Sequence, residues 1–527
     1  MPWRRRIITQ SVEGVHSFLF KVWNSTANRQ NGCVTNPNRL TGLDAAFLHL
    51  EKNGAHMHVA SVITFEGEPP AYNEVLAAFD QRMHLVPRYR QKLAFVPLDQ
   101  GRPVWVDDPH FNLGYHVRHS ALPHPGSDEQ LAALAGRLFA IPLDRHKPLW
   151  EVHLVEGLAP APDGSPRFAM ICKTHHALVD GVSGVDITSV LFTTSPDPLP
   201  PLEAPAPWVP RPEPSSTQLL ADALFERAST PGEAVRGVRA LLRAPRQVLS
   251  DVGGRLTAAG AMAWAGMAPS PSTPLNVPIG PHRRYGWVNV SIDLFKDTKN
   301  GLGGTLNDAV LATVSLGLGR WLRRRGVDTD GMVLKVMVPV SVRASDQRGA
   351  LGNRVAAMMA PLPVYEEDPN ATFAYVHAAM GDLKSSGQAV GADVLAGLSD
   401  FAPPTIASQA ARVQARQRFF NLVVTNVPGP QYPLYLLGRR MTAIHPVAPL
   451  AQNQALCVAI MSYCGRLCFG LLADFDAIPD LGDLVTDLEG AMFDLARAAQ
   501  TERHPWHPGD HQGVSSAHTP DAGAATR

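Results

Sequence analysis

The chain lacks a charge surplus: 47 lysines and arginines are balanced by 47 aspartates and glutamates over 527 residues. A nucleic-acid-binding domain carries a basic excess, so no nucleic-acid partner is expected. It also lacks a long apolar run. The most apolar uncharged stretch, Thr257 to Pro269, falls well short of the roughly 20 residues that cross a bilayer. The first residues hold basic and aromatic side chains but no compact apolar core or small-residue cleavage site, so no secretory signal is read there. Cysteine is scarce and odd in number: Cys33, Cys172, Cys457, Cys464 and Cys468. That excludes a disulfide framework and fits reduced thiols in a cytoplasmic protein. Cys464 and Cys468 with His445 upstream are a weak metal pattern. They lie on two apolar strand-like runs around a Cys-Gly-Arg turn, so they read as core and no metal is expected. Walker-type loops, the GxGxxG fingerprint and the GxSxG elbow are all missing, which speaks against nucleotide hydrolysis, hydride transfer and a serine hydrolase.

What is present is material for two large α/β domains. Residues 1–38 read as a loosely ordered extension. Its Arg4–Arg6 cluster beside Trp3, Phe18, Phe20 and Trp23 suits peripheral contact with an anionic membrane or lipid-droplet surface, and a disordered leader suits it as well. Residues 39–194 alternate strands (58–67, 148–158, 167–176) with helices (73–86, 127–140), the second helix opening on a Ser127-x-x-Gln130 capping box. Residues 195–274 are a proline-rich linker followed by a helical crossover. Residues 275–500 repeat the alternation, with strands at 288–295, 333–343, 419–429 and 455–473 and helices at 305–326 and 368–387. Thr305 and Asp308 form an N-cap with an acidic first turn. Residues 501–527 read as a disordered tail.

One segment carries chemistry. HHALVDG, at 175–181, follows directly on the strand-like run FAMICKT and precedes small residues. A histidine released at a strand end can point into a cleft, and its ordinary pKa near 6.5 suits proton transfer at neutral pH. Against that stands the bland reading: the chain has 20 histidines, and most are surface or satisfied core residues. The four fixed positions together are far more specific than the pair alone.

HHALVDG resembles the HHxxxDG signature of the chloramphenicol acetyltransferase-like superfamily. LTGLDAAFLHLE (40–51), PLDRHKPLWEVHLVEGL (142–158), LNVPIGPHRR (275–284), GGTLNDAVLA (303–312), PVSVR (339–343), LGNRVAAMMAPLP (351–363) and NLVVTNVPGP (421–430) resemble, in order, the bacterial wax ester synthase/acyl-CoA:diacylglycerol acyltransferase family. The resemblance implies two chloramphenicol acetyltransferase-like domains with mixed sheets and an active-site tunnel at their interface. It implies esterification of a lipid hydroxyl by acyl-CoA, with diacylglycerol or a long-chain alcohol as acceptor and no cofactor beyond the acyl-CoA substrate. His176 would be the general base, with no covalent acyl-enzyme. His175 would support it, Asp180 would brace the motif and Gly181 would permit its turn. Pro148, Leu149 and Trp150 match a segment near substrate entry, with strand-end packing as the alternative. Asn307 and Asp308 match the family's N-D segment, with a helix-start role as the alternative. Arg283 and Arg284 are candidates for the CoA phosphates, as is the run Arg323 to Arg325, where solvated helix-end cations are the better fit.

Two other readings stay open at this stage: a lipid or acyl-CoA-binding protein of the same fold without turnover, and a condensation-type enzyme using a carrier-bound acyl group. Oligomeric state is not legible.

Overall fold

The computed structural model describes residues 38–52, 54–179, 190–197, 207–229, 270–341, 355–385 and 419–503. Asp180, Gly181, Cys33, the extension before Asn38, most of the crossover and the tail after Arg503 lie outside the described residues. The first half runs α1 (Gly42–Leu50), β1 (His58–Glu66), α2 (Tyr72–Asp80), β2 (Gln91–Ala94), β3 (Val104–Asp107), α3 (Leu113–His116), β4 (Val117–Ala121), α4 (Asp128–Ala140), β5 (Trp150–Glu156), β6 (Arg167–His175) and α5 (His176–Val179). After α6 (Ser216–Ser229) come β7 (Arg283–Ser291), α7 (Ile292–Leu302), α8 (Leu306–Arg324), β8 (Val333–Ser341), β9 (Val355–Pro363), α9 (Pro369–Ser385), β10 (Leu422–Val427), β11 (Tyr435–Leu436), β12 (Arg439–Val447), β13 (Leu456–Tyr463), β14 (Arg466–Asp474) and α10 (Leu481–Arg503).

Two six-stranded mixed sheets organise these elements, in orders β11-β12-β1-β6-β5-β4 and β7-β14-β13-β10-β8-β9. β4 runs parallel to β5, and β10 parallel to both β8 and β13; the other pairings are antiparallel. The sequence places 275–500 in the second domain. Yet β11 and β12, from inside that span, complete the first sheet, with Val62 opposite His445 and Ala60 opposite Val447. The domain division is therefore not a simple cut along the chain: one hairpin is lent backwards.

Local signals explain several boundaries. The Ser127 hydroxyl accepts from Gln130 N at 3.4 Å, and Gln130 Oε1 accepts from Ser127 N at 2.8 Å, so the capping box forms as the spacing predicts. Thr305 and Asp308 make the same reciprocal pair at the start of α8 (3.2 and 2.9 Å). The run 288–295, read as strand throughout, breaks at Ser291. Its hydroxyl accepts from Asp293 N at 3.2 Å and starts α7 inside the apolar run. The Cys464-Gly465 turn between β13 and β14 has positive φ at both residues, the backbone a two-residue hairpin demands.

The largest core lies in the second half, where α8 is buried almost all round and α10 packs its Leu484, Leu488, Ala491, Met492 and Leu495 against it. A second core fills one face of the first sheet around Trp150, Phe168 and Met170. The third joins the halves: Val62, Val155 and Ile171 of the first sheet and Phe139 of α4 meet Tyr285, Cys457 and Leu472 of the second. At this seam α4 crosses β7 so closely that a Cβ on Gly136 would sit 2.7 Å from Arg283 O. Glycine is required there.

Candidate acyl-transfer site

β6 ends at the histidine pair. His175 sits opposite His58 in the β1–β6 register, and its N–H donates to Leu149 O at 2.9 Å. The chain then turns into α5, where Ala177 N donates to His175 Nδ1 at 3.1 Å. An accepting Nδ1 carries no proton, so the neutral ring holds its hydrogen on Nε2. The His175 side chain is 1% exposed, and burial pushes its pKa down to about 4 against the opposing pull of Glu51. At neutral pH His175 is thus neutral with its basic nitrogen already occupied.

His176 is placed differently. It is only half-buried, and its N–H donates to Met57 O at 2.8 Å. The Phe47 ring of α1 stacks on the His176 imidazole with centroids 3.9 Å apart and planes 23° apart. Phe47 also packs against the core shared by the two halves, so the pair stands beside the seam.

Other residues that the sequence singles out fall in different places. Pro148, Leu149 and Trp150 are all buried. Trp150 donates from Nε1 to Tyr89 O at 2.8 Å and stacks on His116 at 4.7 Å, which favours packing over contact with substrate. The segment does touch the pair, through Leu149 O, and Pro148 and Trp150 border a cavity of about 380 Å³ with Tyr115, Arg118 and Glu151. Asp308 is 1% exposed; besides its cap, Oδ2 accepts from His377 Nδ1 at 2.8 Å and ties α8 to α9. Asn307 is half-buried beside it. Neither has a described contact with the histidine pair, so the helix-start reading of Asn307 and Asp308 is the one the packing favours.

Arg283 is not available to a phosphate. Its side chain is 2% exposed, and its guanidinium donates to Gly280 O, His282 O and Gly54 O and faces Asp474 at 3.6 Å. It ties the 54–57 loop to the second half instead. Arg284 keeps more exposure, donating to Phe475 O at 3.0 Å with its guanidinium 3.8 Å over the Phe475 ring. Arg323, Arg324 and Arg325 close α8 in ion pairs with Glu367, Asp487 and Asp480, the helix-end role expected of them. His445 is buried between Val62 O and Asn289 Oδ1, its pKa held at about 3 by burial, and no metal-holding cluster surrounds it among the described residues.

Sequence reasoning did not single out Phe47, Glu51, Met57 or Arg145. Glu51 Oε2 accepts from Arg145 at 2.7 and 3.1 Å and lies 3.8 Å from His175 Nε2. Three of these residues, Phe47, Glu51 and Arg145, sit in segments quoted for the family resemblance, 40–51 and 142–158. Only the fold shows that these segments converge on a third.

Two mixed sheets joined by an exchanged hairpin, with a histidine pair at the end of a central strand, define the acyltransferases of chloramphenicol acetyltransferase-like fold. The model of the wax ester synthase/diacylglycerol acyltransferase catalytic domain matches residues 40–310, and that of the WS/DGAT C-terminal domain matches 351–496. The chain belongs to the wax ester synthase/diacylglycerol acyltransferase family and is an acyltransferase of that type. It is 32% identical over 476 residues to a Mycobacterium tuberculosis H37Rv protein named as a probable diacylglycerol O-acyltransferase, covering 88% of this chain and 97% of the relative. Among solved structures it is similar to the wax ester synthase/diacylglycerol acyltransferase of Marinobacter aquaeolei VT8, with TM-score 0.61, 25% identity and coverage of 88% and 100% of the two chains. The starter condensation domain of rhizomide synthetase, solved with C8-CoA and Leu-SNAC, shares the fold at TM-score 0.51 and 15% identity over 91% of this chain and 97% of that one.

Proposed function

We propose that this acyltransferase moves an acyl group from acyl-CoA to a lipid hydroxyl, with diacylglycerol as the main acceptor and long-chain alcohols as a second. The observation that carries the assignment of the base is the contrast within the pair. His175 is neutral and buried with Nδ1 filled, whereas His176 presents a half-buried ring beside the seam. His176 takes the proton from the acceptor hydroxyl as its oxygen attacks the thioester carbonyl. The tetrahedral adduct then expels the CoA thiolate, which recovers the proton from His176 as the thiol. The ester and free CoA leave, with no acyl-enzyme and no cofactor. Holding the two substrates in line supplies much of the rate, and a positioned base adds roughly 10²–10⁴-fold.

The acceptors are apolar, so they reach the enzyme from a membrane or lipid-droplet surface by peripheral contact. No helix of the described residues is long and apolar enough to cross a membrane. The test is purified protein with palmitoyl-CoA and either diolein or hexadecanol. Triacylglycerol should form fastest, and His176→Ala should lower turnover by roughly 10²–10⁴-fold. CoA release without added acceptor would point to a thioesterase instead, and equal turnover by His176→Ala would remove the base.

A further inference from the structure

The histidine pair stands on a frame that its own strand and turn do not provide. α1 and the residue after it approach the pair from two directions. Phe47 lies flat against the His176 ring at 3.9 Å. Glu51, whose side chain is 8% exposed, accepts from Met57 N through Oε1 at 3.3 Å and from Arg145 through Oε2 at 2.7 Å. Met57 O accepts the His176 N–H, so the carboxylate braces the backbone that holds the base. Arg145 donates to Leu48 O as well, fastening the 142–150 segment to the end of α1. The same carboxylate faces His175 Nε2, a buried N–H with no hydrogen-bond partner in the structure, at 3.8 Å.

We propose that Glu51, held by Arg145, and Phe47 are positioning residues for the base. Glu51 holds His175 in its Nε2–H tautomer and steadies the Met57–His176 link, while Phe47 sets the plane of the His176 ring. This rests on His176 being the base. A general base must lie within hydrogen-bond reach of the proton it takes, and a 1 Å error in such a site costs up to about 100-fold. Among the described residues, the charged and titratable groups around the pair are Glu51, Arg145 and His56 from the flanking loops, His58 from β1 and Lys173 from β6.

The test compares the parent with Glu51→Gln, Glu51→Asp, Arg145→Gln, Phe47→Leu and Phe47→Tyr, using palmitoyl-CoA and diolein, with His176→Ala as reference. Glu51→Gln should lower kcat by roughly 10–100-fold while KM for acyl-CoA stays within about twofold. Removing the negative charge disfavours a protonated imidazole, so the acid limb of kcat/KM should move to lower pH in Glu51→Gln. Removing the positive charge should move it to higher pH in Arg145→Gln. Phe47→Leu should lower kcat and Phe47→Tyr should restore it. A merely structural role would lower the folded fraction, read by thermal scans, and move neither limb. Parental kcat and limb in Glu51→Gln, alongside an inactive His176→Ala, would overturn the proposal and leave the base standing. Parental turnover in His176→Ala would remove both. If Glu51→Gln does not fold, the Phe47 pair decides: parental kcat in Phe47→Leu overturns the proposal.

Discussion

Lys173 keeps its charge at 1% exposure because all three of its N–H donors are used. Its Nζ meets Glu151 at 2.5 Å and donates to Leu138 O and Ile141 O at 2.9 Å each, the last carbonyls around the end of α4. Burial pulls its pKa down, while Glu151 beside it is held down at about 2 by its partners despite its own burial. An ammonium with three fixed acceptors next to a carboxylate is the satisfied form. Lys173→Met takes from Glu151 its nearest cation, leaving Arg118 and His153 at 3.5 and 3.6 Å, and strands two carbonyls, so it should cost about 3–5 kcal/mol in urea unfolding; a loss under about 1 kcal/mol would show that the pair is neutral. Arg283 illustrates the same logic on a residue read first as a phosphate ligand. A guanidinium that is 2% exposed and bonded to three carbonyls beside Asp474 is closed off from a substrate phosphate. Arginine type and sequence position do not separate the two roles. Burial does.

Among the elements, helices that announce themselves locally were legible in the sequence. The capping boxes at Ser127 and Thr305 need only three residues of spacing, and both form. Thr305→Ala should therefore destabilise α8 by about 1 kcal/mol in urea melts without altering KM, and a change in KM would place the N-D segment at the substrate after all. Elements fixed by distant partners were not legible. β9 is alanine-rich and holds Pro361, which suits its place at the sheet edge. β12 is absent from the strands read in the sequence, and its pairing with β1 is what defines it. The site divides in the same way. His176 was visible because a strand end and a short motif coincide, whereas Glu51 and Phe47 act across a fold contact that no spacing encodes.

At the scale of the whole molecule, several buried histidines stay neutral: His58 is held well below its ordinary value, His116 and His175 at about 4, and His445 at about 3, all by burial foremost. The unfolded chain would protonate each near 6.5. The unfolded state thus binds more protons below that pH, and stability is lost as pH falls from about 6.5 toward the folded values. Each such group contributes up to about 1.4 kcal/mol per pH unit in that window, so the four together contribute up to about 5.5 kcal/mol per pH unit. Denaturant midpoints measured from pH 7.5 to 5.0 should drop steeply, with proton uptake on unfolding. A flat profile would mean that these rings are solvated or already charged.

The hairpin that completes the first sheet also orders events during synthesis. β1 emerges early, but its neighbour β12 lies roughly 370 residues later, which at about 5–20 residues per second is on the order of 20–75 s of translation. Through that interval the first sheet has an open edge with unpaired backbone groups, a template for pairing with other nascent chains. Crowded polysomes, rather than the finished enzyme, are where this architecture is most exposed to aggregation.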